Sequence, residues 1–137
     1  MPAPEVTIRD RTARTGIIYF GSTRPAVLEA LDLLEREDGV ARVQTLSNHF
    51  ETAVHGLKGA PYVLDIRNFG LAAGLTIAPL PGEPARRPYE IAMACWKKGF
   101  YVRYGGDTIQ LAPPFVSTPA EIDRLVSALG DALVETA

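Results

Sequence analysis

Arg103 lies in an aromatic strand two residues before a glycine pair, and no other residue of the chain is better suited to chemistry. The stretch reads Phe100-Tyr101-Val102-Arg103-Tyr104, then Gly105-Gly106-Asp107, then Thr108-Ile109-Gln110-Leu111. A guanidinium holds a carboxylate by two parallel charge-assisted hydrogen bonds, a geometry that lysine cannot copy. Spacing alone favours a plainer role, a surface strand arginine paired with Glu90 or Asp107. Gly105 and Gly106 supply the positive φ of a tight turn. A phosphate cradle would need a helix N-terminus directly after them, and the sequence there reads as a strand.

The other reactive side chains point to less. Lys58, Lys97 and Lys98 fall at expected helix ends and read as solvated cations, whereas a Schiff-base lysine needs a desolvated pocket. Ser22 and Thr23 precede a helix and suit N-capping. His49 and His55 are six apart on one helix, so they face different ways; two metal ligands from one helix want a spacing of three or four. Cys95 has no CxxC partner and a tryptophan neighbour, as a core thiol would. Asp32, Glu35, Arg36, Glu37 and Asp38 form a charge run on an exposed helix face.

These residues must be held by regular elements. Val27, Leu28, Leu31 and Leu34 share a face of a helix over Pro25–Glu37, with Gly39 as its terminator. Val43, Leu46, Phe50, Val54 and Leu57 do the same for a helix over Val40–Lys58, closed by Gly59 in a left-handed cap. Tyr62–Arg67 and Leu71–Pro79 read as strands of a hairpin turned at Gly70. Pro79–Pro88 carries four of the eleven prolines and reads as a loop. A third helix over Tyr89–Gly99 presents Ala92, Cys95 and Trp96 together, with Lys97 and Lys98 where the dipole favours cations. The Phe100–Leu111 hairpin follows. A last helix starts at Thr118 as N-cap, with Pro119 first and Glu121 three residues after the cap. Its core face is Ile122, Leu125, Val126, Leu129, Ala132 and Leu133. The order α-α-β-β-α-β-β-α predicts an α+β fold, a mostly antiparallel sheet with helices packed on one face.

Composition narrows the function classes. The chain has 137 residues, about one domain, with 47% hydrophobic and 22% charged residues and a net charge of −2. No basic excess exists to neutralise nucleic-acid phosphates. No apolar run is long enough to span a bilayer, and MPAPEVTIRDRTARTG lacks the apolar core of a signal peptide. A single cysteine rules out an internal disulfide and fits a cytoplasmic location.

The run YVRYGGDT, together with DLLERED (Asp32–Asp38) and LKGAPYVLDIRNFGLAAGLTIAP (Leu57–Pro79), resembles the C-terminal small domain of class III (ω-) pyridoxal-phosphate aminotransferases. The nearest type is the β-alanine/ω-amino acid–pyruvate enzymes, and the likeness runs from Leu28 to Ala137. It implies that Arg103 clamps a substrate carboxylate and that Arg67, in DIRNFG, is structural. It implies a cofactor, pyridoxal phosphate, which this chain does not bind alone, because the Schiff-base lysine belongs to a larger domain upstream. It implies that Ser22 or Thr23, in GIIYFGSTRP, reaches a cofactor phosphate across a dimer. The expected organisation is residues 1–24 as a loosely ordered or strand-like N-terminal segment and 25–137 as the small domain. Its partners would be a second copy or an aminotransferase large domain, with ω-amino acid and pyruvate as substrates. The alternative is a non-catalytic interaction or regulatory module, or a gene remnant, docking on an aminotransferase subunit.

Overall fold

The computed structural model describes residues 11–12 and 21–137. The strand-like expectation at Val6–Ile8 and the first half of GIIYFGSTRP lie outside them. A 3-10 turn, Gly21–Thr23, leads into α1 (Arg24–Arg36), followed by α2 (Gly39–His55), β1 (Val63–Phe69), β2 (Ala72–Ile77), α3 (Arg86–Lys97), β3 (Arg103–Gly105), β4 (Thr108–Leu111) and α4 (Pro119–Glu135). The strands form one sheet in the order β1-β2-β4-β3, with every neighbour antiparallel. This is the α+β arrangement expected. No helix among the described residues is long and apolar enough to cross a membrane.

Alternation along the strands decides which sheet face is covered. Ala73, Leu75 and Ile77 of β2 and Ile109 and Leu111 of β4 are buried. They meet Leu46, Phe50 and Val54 of α2, Ile91, Ala92 and Cys95 of α3, and Ile122, Val126, Leu129 and Leu133 of α4 in one core. The intervening strand residues form the other, open face. α2 packs on α4, α4 on α3, and α3 on β3 and β4. α1 is different: it packs against α2, and none of its residues is fully buried.

Helix boundaries show what local chemistry settles. The expected capping box of α4 is present, with Thr118 Oγ1 accepting from the Glu121 N–H and the Glu121 carboxylate accepting from the Thr118 N–H. The hydrogen bonds that Thr118 donates to it hold the Glu121 carboxyl below its ordinary pKa. Thr23 stands at the cap position of α1, but its backbone is helical (φ −79°, ψ −12°) and its side chain makes no capping bond. A cap needs an extended residue there, so the N-capping expectation fails. Gly39 does not end α1; it opens α2, and Asp38 takes the left-handed turn at φ +50°. Aspartate tolerates that conformation, and a Cβ on Gly39 would sit 2.7 Å from Leu34 Cδ2. α2 ends at His55 rather than Lys58, in successive tight turns that reach Gly59 at φ +90°. α3 begins at Arg86, three residues before the expected start, because Pro88 lies in a first turn where its missing N–H costs nothing. Within α3, Ala92 and Cys95 are buried, but Trp96 turns outward.

One side chain ties three elements together. Arg87, on α3, donates to the Ala78 carbonyl just past β2, and its guanidinium lies 3.6 Å from the centre of the Tyr62 ring. Tyr62 leads into β1 with φ +66°, a left-handed backbone that a tyrosine holds only when its surroundings impose it. Its carbonyl accepts from the Ala78 N–H at 2.8 Å.

Candidate functional site

Arg103 opens β3, opposite Gln110 in the register, while its neighbour Tyr104 pairs with the buried Ile109. Strand side chains alternate between faces, so Tyr104 belongs to the helix side and Arg103 to the open face. Tyr104 is held there by an edge-to-face contact with Tyr89 of α3, ring centres 5.7 Å apart. That contact joins the short strand to α3 one residue after Arg103.

The partners expected for a plain surface arginine are engaged elsewhere. Glu90 accepts from Arg86 at 2.8 Å, and Asp107 accepts from the Thr108 hydroxyl at 2.9 Å. Arg103 is exposed and makes no hydrogen bond or ion pair among the described residues. Its cation is therefore accessible above the sheet.

The register extends the site across all four strands. Arg103 pairs with Gln110, Gln110 with Gly74, and Gly74 with Arg67. These four residues form one row on the open face. Arg67 lies flat over Gly74, where a Cβ would be 3.5 Å from its guanidinium carbon and nitrogens. It donates to Thr76 Oγ1 at 2.8 Å and to the Asp65 carboxylate at 3.2 Å. Arg67 is thus fastened to the sheet, in keeping with a structural role, and Arg103 is the accessible guanidinium of the row. Gln110 and Gly74 carry no motif signal of their own. Gln110 is reached only through the hairpin register, in which Gly105 pairs with Thr108 across a two-residue turn, and Gly74 needs the register between β2 and β4 as well.

The remaining candidates stay apart from Arg103. Ser22 and Thr23 are exposed in the turn entering α1. Lys58 and Lys97 are exposed. Lys98 is bound to Glu135 at 2.6 Å, and that hydrogen bond holds its ammonium above the ordinary lysine range. With two lysines exposed and the third tied to a carboxylate, none of the three lies in the desolvated pocket that a Schiff base requires. His49 bonds Asp123 at 2.7 Å and His55 bonds Asn68 at 2.9 Å, on separate faces as expected. No group of three or more His, Cys, Asp or Glu among the described residues could hold a metal ion. Cys95 is buried in the core, which pushes its thiol pKa up to about 11. An open groove of about 900 Å³ runs past Tyr89, Met93, Trp96 and Lys98, and Arg103 does not line it.

No protein-family model matches the sequence. Individual relatives do. The chain is 54% identical over 108 residues to an ω-amino acid–pyruvate aminotransferase of Pseudomonas putida, a match over 79% of this chain and 24% of the relative. It is 52% identical over 108 residues to a β-alanine–pyruvate aminotransferase of Pseudomonas aeruginosa, with the same coverage. Among solved structures, an adenosylmethionine-8-amino-7-oxononanoate aminotransferase from Methanocaldococcus jannaschii superposes with a TM-score of 0.74 at 31% identity, over 80% of this chain and 26% of that one. The chain thus spans about a quarter of the length of the relatives it matches. By sequence and by fold it is a relative of the C-terminal small domain of class III (ω-) aminotransferases, the β-alanine/ω-amino acid–pyruvate type among them.

Proposed function

We propose that this chain acts as the C-terminal small domain of an ω-amino acid–pyruvate aminotransferase and that Arg103 binds the substrate carboxylate. The observation that carries this reading is the state of Arg103. It is an exposed guanidinium on an open sheet face, with its nearest expected anions engaged elsewhere. Such a group is available to an external carboxylate, because no internal ion pair has to be broken first. In this reading residues 25–137 are the small domain, working in the cytoplasm, and pyridoxal phosphate supplies the electron sink of the reaction. Lys58, Lys97 and Lys98 do not fit the cofactor's covalent anchor, so we assign that lysine to an aminotransferase large domain and treat this chain alone as catalytically incomplete. Ser22 and Thr23, exposed at the start of α1, are the residues we assign to the cofactor phosphate across a dimer, where a helix N-terminus favours an anion.

A second reading has one observation in its favour. Trp96 and Tyr101, 62% and 76% exposed, meet edge to face at 6.1 Å on the outer side of α3. Exposed aromatic pairs are typical anchors of a protein interface, so a non-catalytic module docking on an aminotransferase subunit would use this edge.

The test is reconstitution with a large-domain chain carrying the lysine. Arg103→Ala removes a contact in which each hydrogen bond to a charged group contributes about 1.5–3 kcal/mol. Activity toward pyruvate should fall about tenfold to a few hundredfold. Amines without a carboxylate should be spared, and Arg103→Lys should recover little. Equal losses for both substrate classes would make Arg103 structural. Full activity of the Ala variant would remove it from the site.

A further inference from the structure

β1 is an edge strand, and nothing among the described residues pairs its outer side. It is seven residues long, VLDIRNF, the longest strand of the sheet. Edges of this kind are usually blunted by brevity, charged side chains, proline, a bulge or a covering element, because unpaired N–H and C=O groups template another strand; the charges on β1, Asp65 and Arg67, are of opposite sign and so repel only some partners. Here the register irregularity falls between Val63 and Asp65, at the very start. From Asp65 to Phe69 the ladder is regular. Two large apolar side chains on this strand, Leu64 and Phe69, are 65% and 91% exposed.

We propose that β1 pairs with β1 of a second copy of this chain, antiparallel, about a twofold axis centred on Ile66 and normal to the sheet. A twofold of that orientation preserves the faces of the sheet. Each residue must then meet one of its own parity, and the axis must pass beside a single residue. Few registers remain, and their charges separate them. An axis at Asp65 sets two aspartates face to face, and one at Arg67 sets two arginines face to face; like charges directly opposite are destabilising. An axis at Asn68 places Arg67 opposite Phe69. An axis at Ile66 places Asp65 of each copy opposite Arg67 of the other, twice.

The bulge completes the fit. Val63 pairs with the buried Ile77, which turns it to the helix side. Leu64 is thereby left toward the open face, beside the position that Phe69 of the other copy would take. Two exposed apolar side chains would then cover each other at each end of the new ladder. The Asp65–Arg67 contact within one copy, at 3.2 Å, shows that the two side chains already lie on one face. Arg67 keeps donors to spare for a second carboxylate. The product is one continuous sheet, twice the width of the single copy's, with the helices of both copies on the same side. This pairing does not depend on any role for Arg103.

Charge reversal tests it on the full chain by light scattering across a wide concentration range. The chain itself should form a dimer. Asp65→Arg and Arg67→Asp should each turn both cross-copy pairs repulsive and weaken dimerisation by about tenfold or more. Mixed in equal amounts, these two variants should associate with each other, because every arginine then faces an aspartate. A structural defect could not be repaired by mixing. Circular dichroism checks that each variant is folded. As a second measurement, Ile66→Cys should form an intermolecular disulfide on mild oxidation, since facing Cα atoms about 4.5–5.5 Å apart suit that bond. Cys95, being buried, would not compete. The proposal is overturned by a monomeric chain at high concentration, by single variants that dimerise as the parent does, by a mixture that stays monomeric, or by an Ile66→Cys variant that does not cross-link.

Discussion

Gly74 offers a sharp check on the geometry of the open face, because the sign of a single substitution follows from it. Its φ lies outside the left-handed region, so an L-residue fits the backbone without strain. An added Cβ would meet the Arg67 guanidinium at 3.5 Å, an ordinary van der Waals distance. Gly74→Ala should therefore stabilise the fold by about 0.5–1 kcal/mol, through the lost entropy of glycine in the unfolded chain. In a domain of this size that raises the melting temperature by about 2–5 °C. A larger side chain reverses the sign. Gly74→Leu must push the guanidinium off Thr76 and Asp65, which costs about 1 kcal/mol for exposed charged contacts and more if the strand shifts. Gly39→Ala makes the contrasting control, since there the new Cβ meets Leu34 at 2.7 Å, and the Leu34 backbone at 3.3 Å cannot swing away. Overpacking of that kind costs about 1–3 kcal/mol. Thermal and urea melts of the three variants, with an unchanged m-value, are the assay. A melting point lowered by Gly74→Ala would refute the placement of Arg67 across a bare strand, and with it the row that ends at Arg103.

Three further outcomes follow from the helices. Thr118→Ala should remove the α4 capping box and cost about 0.5–2 kcal/mol, with Thr118→Ser restoring most of it, as read by urea denaturation. The Glu121 carboxyl has a folded pKa below its unfolded one, so its stabilising effect is present above the ordinary glutamate range and fades as the pH falls through the folded value; Thr118→Ala should flatten that acid limb. Cys95, buried with its thiol pushed up to about 11, should react with a thiol reagent only on unfolding, and rapid stoichiometric labelling of the native chain at neutral pH would contradict its place in the core.

Much of this was legible in the sequence because apolar spacing is the physical cause of the fold. Leu46, Phe50 and Val54 in α2, and Ile122 through Leu133 in α4, repeat at helical intervals, and these faces line the core. The two hairpins follow from strand alternation around Gly70 and Gly106, both at positive φ; Gly105, expected to share that role, instead closes β3 as a strand residue outside the positive-φ region, paired with Thr108. Boundaries were less legible. Gly39 looks like a stop signal, yet its lack of a side chain serves a close approach to Leu34, which only the packed structure reveals. Thr23 looks like a cap, but a helical backbone carries the chain past it. Arg103 could be singled out by its motif, whereas the engagement of Glu90 by Arg86, one turn earlier on α3, is seen only in the folded chain. The row through Gly74 and Gln110 depends on register, and local sequence alone does not set the register between β2 and β4.

The standing of α1 has a consequence for how the molecule opens. A helix with no fully buried residue, packed chiefly on one neighbour, contributes little to the cooperative unit formed by the sheet with α2, α3 and α4. Its amides should exchange with solvent through local openings of far lower free energy than global unfolding, while those of β2, β4 and α4 wait for the whole core. Any ligand or partner that grips residues 21–36 would therefore gain affinity only after meeting the cost of holding α1 in place. In return it would slow the exchange of that one helix and leave the sheet as it was.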